Sequence, residues 1–179
     1  MTRYIALLRA VNVGGTGKLS MKTLSDLCIE LGLENVRTYI QSGNIVFDSN
    51  LAETAIRRAL EEALADKLEI KTEVVLRTAK ELKAVLDANP FSTSKLSGVG
   101  VFFQTSPIND RLFHPSSTEE IRMGEREVYI HFKAGMASSK LKLPTRMWNH
   151  AQYEHGFKSC KHGWGILNLV LFPQRLLSW

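Results

Sequence analysis

Two cysteines in 179 residues, Cys28 and Cys160, are too few for a disulfide framework, and the helical spacing around Cys28 places it in a core. That usage suits a reducing compartment. No basic n-region precedes an apolar h-region, and no run of eighteen apolar residues occurs, so neither a secretory leader nor a membrane-spanning helix is predicted. No segment is of low complexity and no paired carboxylates stand out. The expectation is a cytoplasmic α/β protein without membrane contact, long enough for one domain or two small ones with a real core.

A net charge of +5 and a pI near 9.3 would ordinarily point to nucleic acid or another anionic partner. The distribution weakens that inference. Residues 1–133 contain 17 Lys+Arg and 17 Asp+Glu, whereas the last 46 residues hold 6 basic residues and 1 acidic one. The whole excess belongs to the C-terminal tail.

Along the chain, Thr2 to Val11 is an apolar run with β-branched and aromatic members, which predicts a mostly buried strand. Asn12-Val13-Gly14-Gly15-Thr16-Gly17-Lys18 then forms a glycine-rich turn. Ser20 suits a helix N-cap, Leu24, Leu27, Cys28 and Leu31 follow at helical spacing, and Gly32 stands where a left-handed C-terminal residue belongs. Val36–Ile40 is the second predicted strand, Gln41-Ser42-Gly43-Asn44 a turn, and Ile45–Phe47 the third. Ser49 is expected to cap a helix over about 52–68 that presents Ile56, Leu60, Leu64 and Leu68 on one face. Thr72–Arg77 is the fourth strand. The order β-α-β-β-α-β predicts a ferredoxin-like α/β plait over residues 1–77.

Thr78-Ala79-Lys80-Glu81 has the pattern of a capping box, opening a helix that ends before Pro90. Phe91–Ser97 is a polar linker. Gly98–Thr105 is a buried strand, a short helix is expected from Pro107 to Phe113, and Glu119–Met123 with Glu127–Phe132 form a hairpin around Gly124-Glu125. The predicted fold is α+β. Residues 78–143 form a second, β-α-β-β plait-like half that is altered or truncated at its C-terminus, and 144–179 are an atypical tail.

The glycine turn before a helix invites a phosphate reading, because helix N-terminal N–H groups attract anions and Lys18 adds a charge. It lacks the Walker spacing and the dinucleotide fingerprint, so a glycine turn with a solvated lysine is the plainer account. The polar turn Gln41-Ser42-Gly43-Asn44 likewise suits either turn chemistry or a ligand. Arg9, Asn12, Gly14, Gly15, Lys18, Gln41, Ser42 and Asn44 are the candidate ligand-binding residues. The loop after strand one and the turn before strand three are expected at opposite ends of the sheet if those strands run antiparallel, which counts against one compact site. RNA-binding plaits stack bases on central-strand aromatics, and Ile45–Phe47 offers one aromatic.

The runs Leu7-Leu8-Arg9-Ala10-Val11-Asn12-Val13-Gly14-Gly15 and Tyr39-Ile40-Gln41-Ser42-Gly43-Asn44-Ile45-Val46-Phe47, with Lys18 and Met21 between them, resemble the bacterial "domain of unknown function 1697" family. Looser likeness extends through Val128-Tyr129-Ile130-His131 and Ser139-Lys140-Leu141, about the first 143 residues in all. The resemblance implies two ferredoxin-like halves and no established activity, and brings no catalytic residues to carry over; no cofactor is expected.

From Pro144 the sequence changes character, with all three tryptophans and three of the five histidines. His150, His155, Cys160 and His162 match no compact metal-ligand spacing, so no metal site is predicted. The family resembled usually has Thr-Arg-Asn-x-Asn-Thr near here. Codons for Met147 onward, read one nucleotide later, permit Cys-Gly-Thr-Thr-Arg-Asn-Met-Asn-Thr-Val-Ser. A frame slip between about Pro144 and Met147 would leave 147–179 out of frame, with poor order or opportunistic burial of Trp148, Trp164 and the Ile166–Phe172 run.

The leading expectation is a polar site for an anionic ligand, phosphate-bearing or nucleic acid, with Arg9 and Lys18 as its cations. An enzyme with Ser42 or Cys28 as nucleophile needs a base, and His114 and His131 have no motif linking them to either. A protein-interaction module is the third class.

Overall fold

A computed structural model describes residues 1–9, 11, 19–39, 43–91, 98–106, 118–135, 138–139 and 141. The chain is α+β and divides into two units, Met1–Leu82 and Lys83–Trp179.

In the first unit, strand β1 (Thr2–Leu8) is followed by helix α1 (Met21–Glu30), strands β2 (Glu34–Tyr39) and β3 (Asn44–Ser49), helix α2 (Glu53–Leu68) and strand β4 (Val74–Thr78). The sheet order is β2-β3-β1-β4, and each neighbouring pair is antiparallel. Strand alternation sends Tyr4, Ala6, Leu8, Ile45, Phe47, Val74 and Leu76 to one face. They share a single apolar cluster with Leu24, Leu27 and Cys28 of α1 and Ile56, Leu60 and Leu64 of α2, so both helices cover that face. Each fully buried Leu, Ile or Phe there contributes about 1.5–3 kcal/mol. The opposite face is buried as well, at Ile5, Leu7, Val46 and Val75, but it also holds Asn44, Asp48 and Arg77.

Local chemistry sets the helix ends. Ser20 Oγ accepts from the Thr23 N–H at 3.0 Å and starts α1. Gly32, at φ +75°, ends it: the Leu33 N–H reaches the Cys28 carbonyl and the Gly32 N–H the Ile29 carbonyl, a Schellman closure. The cap expected at Ser49 is absent. Ser49 lies inside β3 and its Oγ accepts from the Leu51 N–H at 3.2 Å, while Ala52 stands at the N-cap of α2 without a side-chain hydrogen bond. The intervening residues keep the hydroxyl on its own turn.

Helix α3 (Ala79–Asp87) opens on the anticipated capping box: Glu81 Oε2 accepts from the Thr78 N–H at 2.7 Å, and Thr78 Oγ1 from the Glu81 N–H at 3.1 Å. In the second unit, β5 (Val99–Phe103), β6 (Glu119–Met123) and β7 (Glu127–Phe132) form an antiparallel sheet of order β5-β7-β6. The buried Tyr129 hydroxyl donates to the Val85 carbonyl at 2.8 Å and ties β7 to α3. Ser139 Oγ donates to Glu119 at 2.5 Å and accepts from the Leu141 N–H at 3.1 Å, a structural clamp. The predicted linker at 92–97, the short helix expected within 107–113 and the tail from 147, with its histidines and Cys160, lie outside the described residues.

Candidate functional site

The end of β1 and the start of β3 lie at the same end of the sheet, which corrects the expectation that antiparallel pairing keeps the loop after one apart from the turn before the other. Antiparallel strands bring the end of one to the start of the other. The register places Leu7, next to last in β1, opposite Asn44, the first residue of β3. Gly43 makes the contact tight. It adopts φ +81°, and a β-carbon there would overlap Val11 and stand 3.3 Å from the Leu8 Cβ. Only glycine meets both demands without rearrangement.

Arg9 continues β1 past Leu8 at this end. Its N–H donates to the Glu73 carbonyl at 3.1 Å, and its carbonyl accepts from Thr72 Oγ1 at 2.6 Å. Its guanidinium, 11% exposed, pairs with the Glu73 carboxylate, 35% exposed. A cation is thus held in place by the segment that enters β4. Arg9 follows two residues after Leu7, the residue paired with Asn44.

Asn44 is 1% exposed, and neither its Nδ2 nor its Oδ1 makes a hydrogen bond among the described residues. Asp48, on the same strand and face, is in contrast fully engaged, accepting from Arg3 at 2.9 and 3.0 Å and from Asn35 Nδ2 at 2.9 Å. The Arg3 hydrogen bonds hold the Asp48 carboxyl below its ordinary pKa.

Of the residues singled out in the sequence, Arg9, Gly43 and Asn44 are described: Arg9 follows the end of β1, and Asn44 opens β3 opposite Leu7. Asn12, Gly14, Gly15, Lys18, Gln41 and Ser42 lie outside the described residues, although the chain leaves this end after Arg9 and returns to it before Gly43. Glu73 and Thr72 went unnoticed in the sequence, where a glutamate at a strand entrance looks like a solvated charge.

The alternative chemistries fare differently. Cys28 is fully buried among apolar side chains, and burial pushes its thiol up to about 12, so no thiolate nucleophile is available there. His131 packs against the Phe91 ring at 5.3 Å, and His114 and Ser42 lie outside the described residues. Phe47, the aromatic considered for base stacking, is fully buried beneath the helices and stacks on Tyr4 at 6.0 Å. No helix among the described residues is long and apolar enough to cross a membrane.

A family model described as "Protein of unknown function (DUF1697)" matches residues 1–129. No curated protein matches. Among solved structures, the chain is similar to the conserved bacterial protein SP0830 from Streptococcus pneumoniae, with 25% identity and a TM-score of 0.69, over 89% of this chain and 99% of that one.

Proposed function

The chain belongs to the DUF1697 family of proteins of unknown function, and from the polar end of its first sheet we propose that it binds an anionic ligand, phosphate-bearing or nucleic acid, there. The observation that carries this reading is the Leu7–Asn44 register. It sets the end of β1 beside the start of β3, at the end where the Glu73 carboxylate pairs with the Arg9 guanidinium. Guanidinium suits phosphate because it offers several donors in one plane. The even charge balance of residues 1–133 makes this a local attraction rather than a general one.

The order β-α-β-β-α-β with sheet order β2-β3-β1-β4 supports a ferredoxin-like plait for residues 1–77, with the three strands of 78–143 as part of a second. The basic tail from 144 stays outside the site on this reading, as the product of a slipped frame.

The test is calorimetric titration of the full chain with inorganic pyrophosphate and with a short single-stranded oligonucleotide. Binding is expected, weakening with salt, and Arg9→Ala and Lys18→Ala should each lower affinity about ten- to a hundredfold. Glu73→Gln should strengthen it by removing a competing carboxylate. Absence of binding, or affinity indifferent to Arg9 and Lys18, overturns the reading.

A further inference from the structure

We infer that the ligand at this sheet end presents Asn44 with a planar edge carrying a hydrogen-bond donor beside an acceptor, the edge of a nucleobase. The inference rests on the ligand-binding reading above and names the part of the ligand that Arg9 does not hold.

Buried side-chain amides are almost always hydrogen-bonded, because desolvating the group without a partner is unfavourable. Asn44 breaks that rule at both polar atoms. The departure belongs to the position and not to the strand, since Asp48 on the same face has all its partners supplied by Arg3 and Asn35. Packing does not demand an amide here either. Leu7 lies directly across, and Val46 follows on the same face, so an aliphatic side chain would suit the surroundings better.

What satisfies such a group is restricted by its chemistry. A carboxamide offers an acceptor oxygen beside donor hydrogens. An anion engages only Nδ2 and a cation only Oδ1. A partner with donor and acceptor side by side engages both, and nucleobase edges have that form; asparagine pairs with adenine in this bidentate way. A buried water is the structural rival. Arg9 follows two residues after Leu7, the residue paired with Asn44, and is the cation to which a phosphate attached to such a base is assigned. Base and phosphate could be offered by a free nucleotide or by an unpaired strand, and the experiment separates the two.

The full chain is titrated with AMP, CMP, GMP and UMP, with single-stranded homopolymers, and with ribose 5-phosphate and pyrophosphate as base-free controls. At least one nucleotide or homopolymer should bind about ten- to a hundredfold more tightly than ribose 5-phosphate. A homopolymer far tighter than its mononucleotide identifies the strand as the source; equal affinity per site identifies the nucleotide. Asn44→Val should erase the preference for base, bringing nucleotide affinity down to that of ribose 5-phosphate, and Asn44→Asp, which exchanges a donor for an acceptor, should reorder the bases. If either variant fails to fold by circular dichroism, the comparison of nucleotides with ribose 5-phosphate in the unaltered chain decides alone. Equal affinity for ligands with and without a base overturns this inference and leaves the anion site standing. Absence of all binding overturns both.

Discussion

Val11 occupies the space that a β-carbon on Gly43 would need, and this contact fastens the exit of β1 to the entrance of β3. Gly43 is bound to glycine twice over, by that overlap and by φ +81°. Gly43→Ala therefore has to shift Val11 and hold alanine in the left-handed region. The expected loss is about 1–3 kcal/mol, from overpacking and backbone strain together. Urea denaturation of the two proteins measures it, with an unchanged midpoint as the contrary result. Gly32→Ala is the control for strain alone, because nothing lies within 4 Å of a β-carbon there and the expected loss is about 1 kcal/mol.

At the other end of the sheet, Arg3 and Asn35 hold Asp48. Asn35 reaches it from a left-handed conformation, φ +51°, where β2 breaks register against β3. Because the Arg3 hydrogen bonds lower the Asp48 pKa in the folded state, the stabilisation is present above the unfolded carboxyl value. It is lost as pH falls through the lower, folded one. Asp48→Asn should flatten the acid limb of a stability–pH curve below about pH 4. At neutral pH it should cost about 1 kcal/mol, since Arg3 is 43% exposed and its pairing is screened. Thermal melts from pH 2 to 7 check both statements; parallel curves for the two proteins would refute the assignment.

Cys28 yields a chemical prediction. A fully buried thiol pushed up to about 12 carries almost no thiolate at neutral pH. In folded protein an alkylating reagent should modify Cys28 only as fast as the first unit opens, and fully in denaturant. Peptide mass mapping separates it from Cys160. Rapid labelling of Cys28 in the native state would restore it as a reactive group.

What the sequence made legible was local chemistry. Ser20, Gly32 and the Thr78–Glu81 pair announce helix ends because each satisfies backbone groups within a few residues of itself. The 119–132 hairpin follows from alternation around Gly124. Ser49 misled because a hydroxyl near a helix start has two backbone choices, and only geometry selects between them. The site was half legible. Arg9 and Asn44 stand out as polar residues in apolar runs, but that the end of β1 adjoins the start of β3 depends on strand direction. Glu73 reaches Arg9 only through the fold. That Asn44 lacks partners among the described residues is invisible in any one-dimensional pattern, since alternation fixes the face of a side chain and says nothing of what it bonds.

The DNA across codons 140–179 tests the tail. If the frame slips between about Pro144 and Met147, the next frame of the gene encodes Thr-Arg-Asn-Met-Asn-Thr, and the intact protein has the mass of the 179-residue chain, 20.1 kDa. The basic excess of the last 46 residues then has no bearing on ligand choice, and the frame-restored chain should keep the Arg9-dependent affinity. If the string is missing from the DNA, the tail is genuine and the prediction fails. His150, His155, Cys160 and His162 then become the groups to titrate with zinc, and the net charge returns as evidence for an anionic partner bound through the tail.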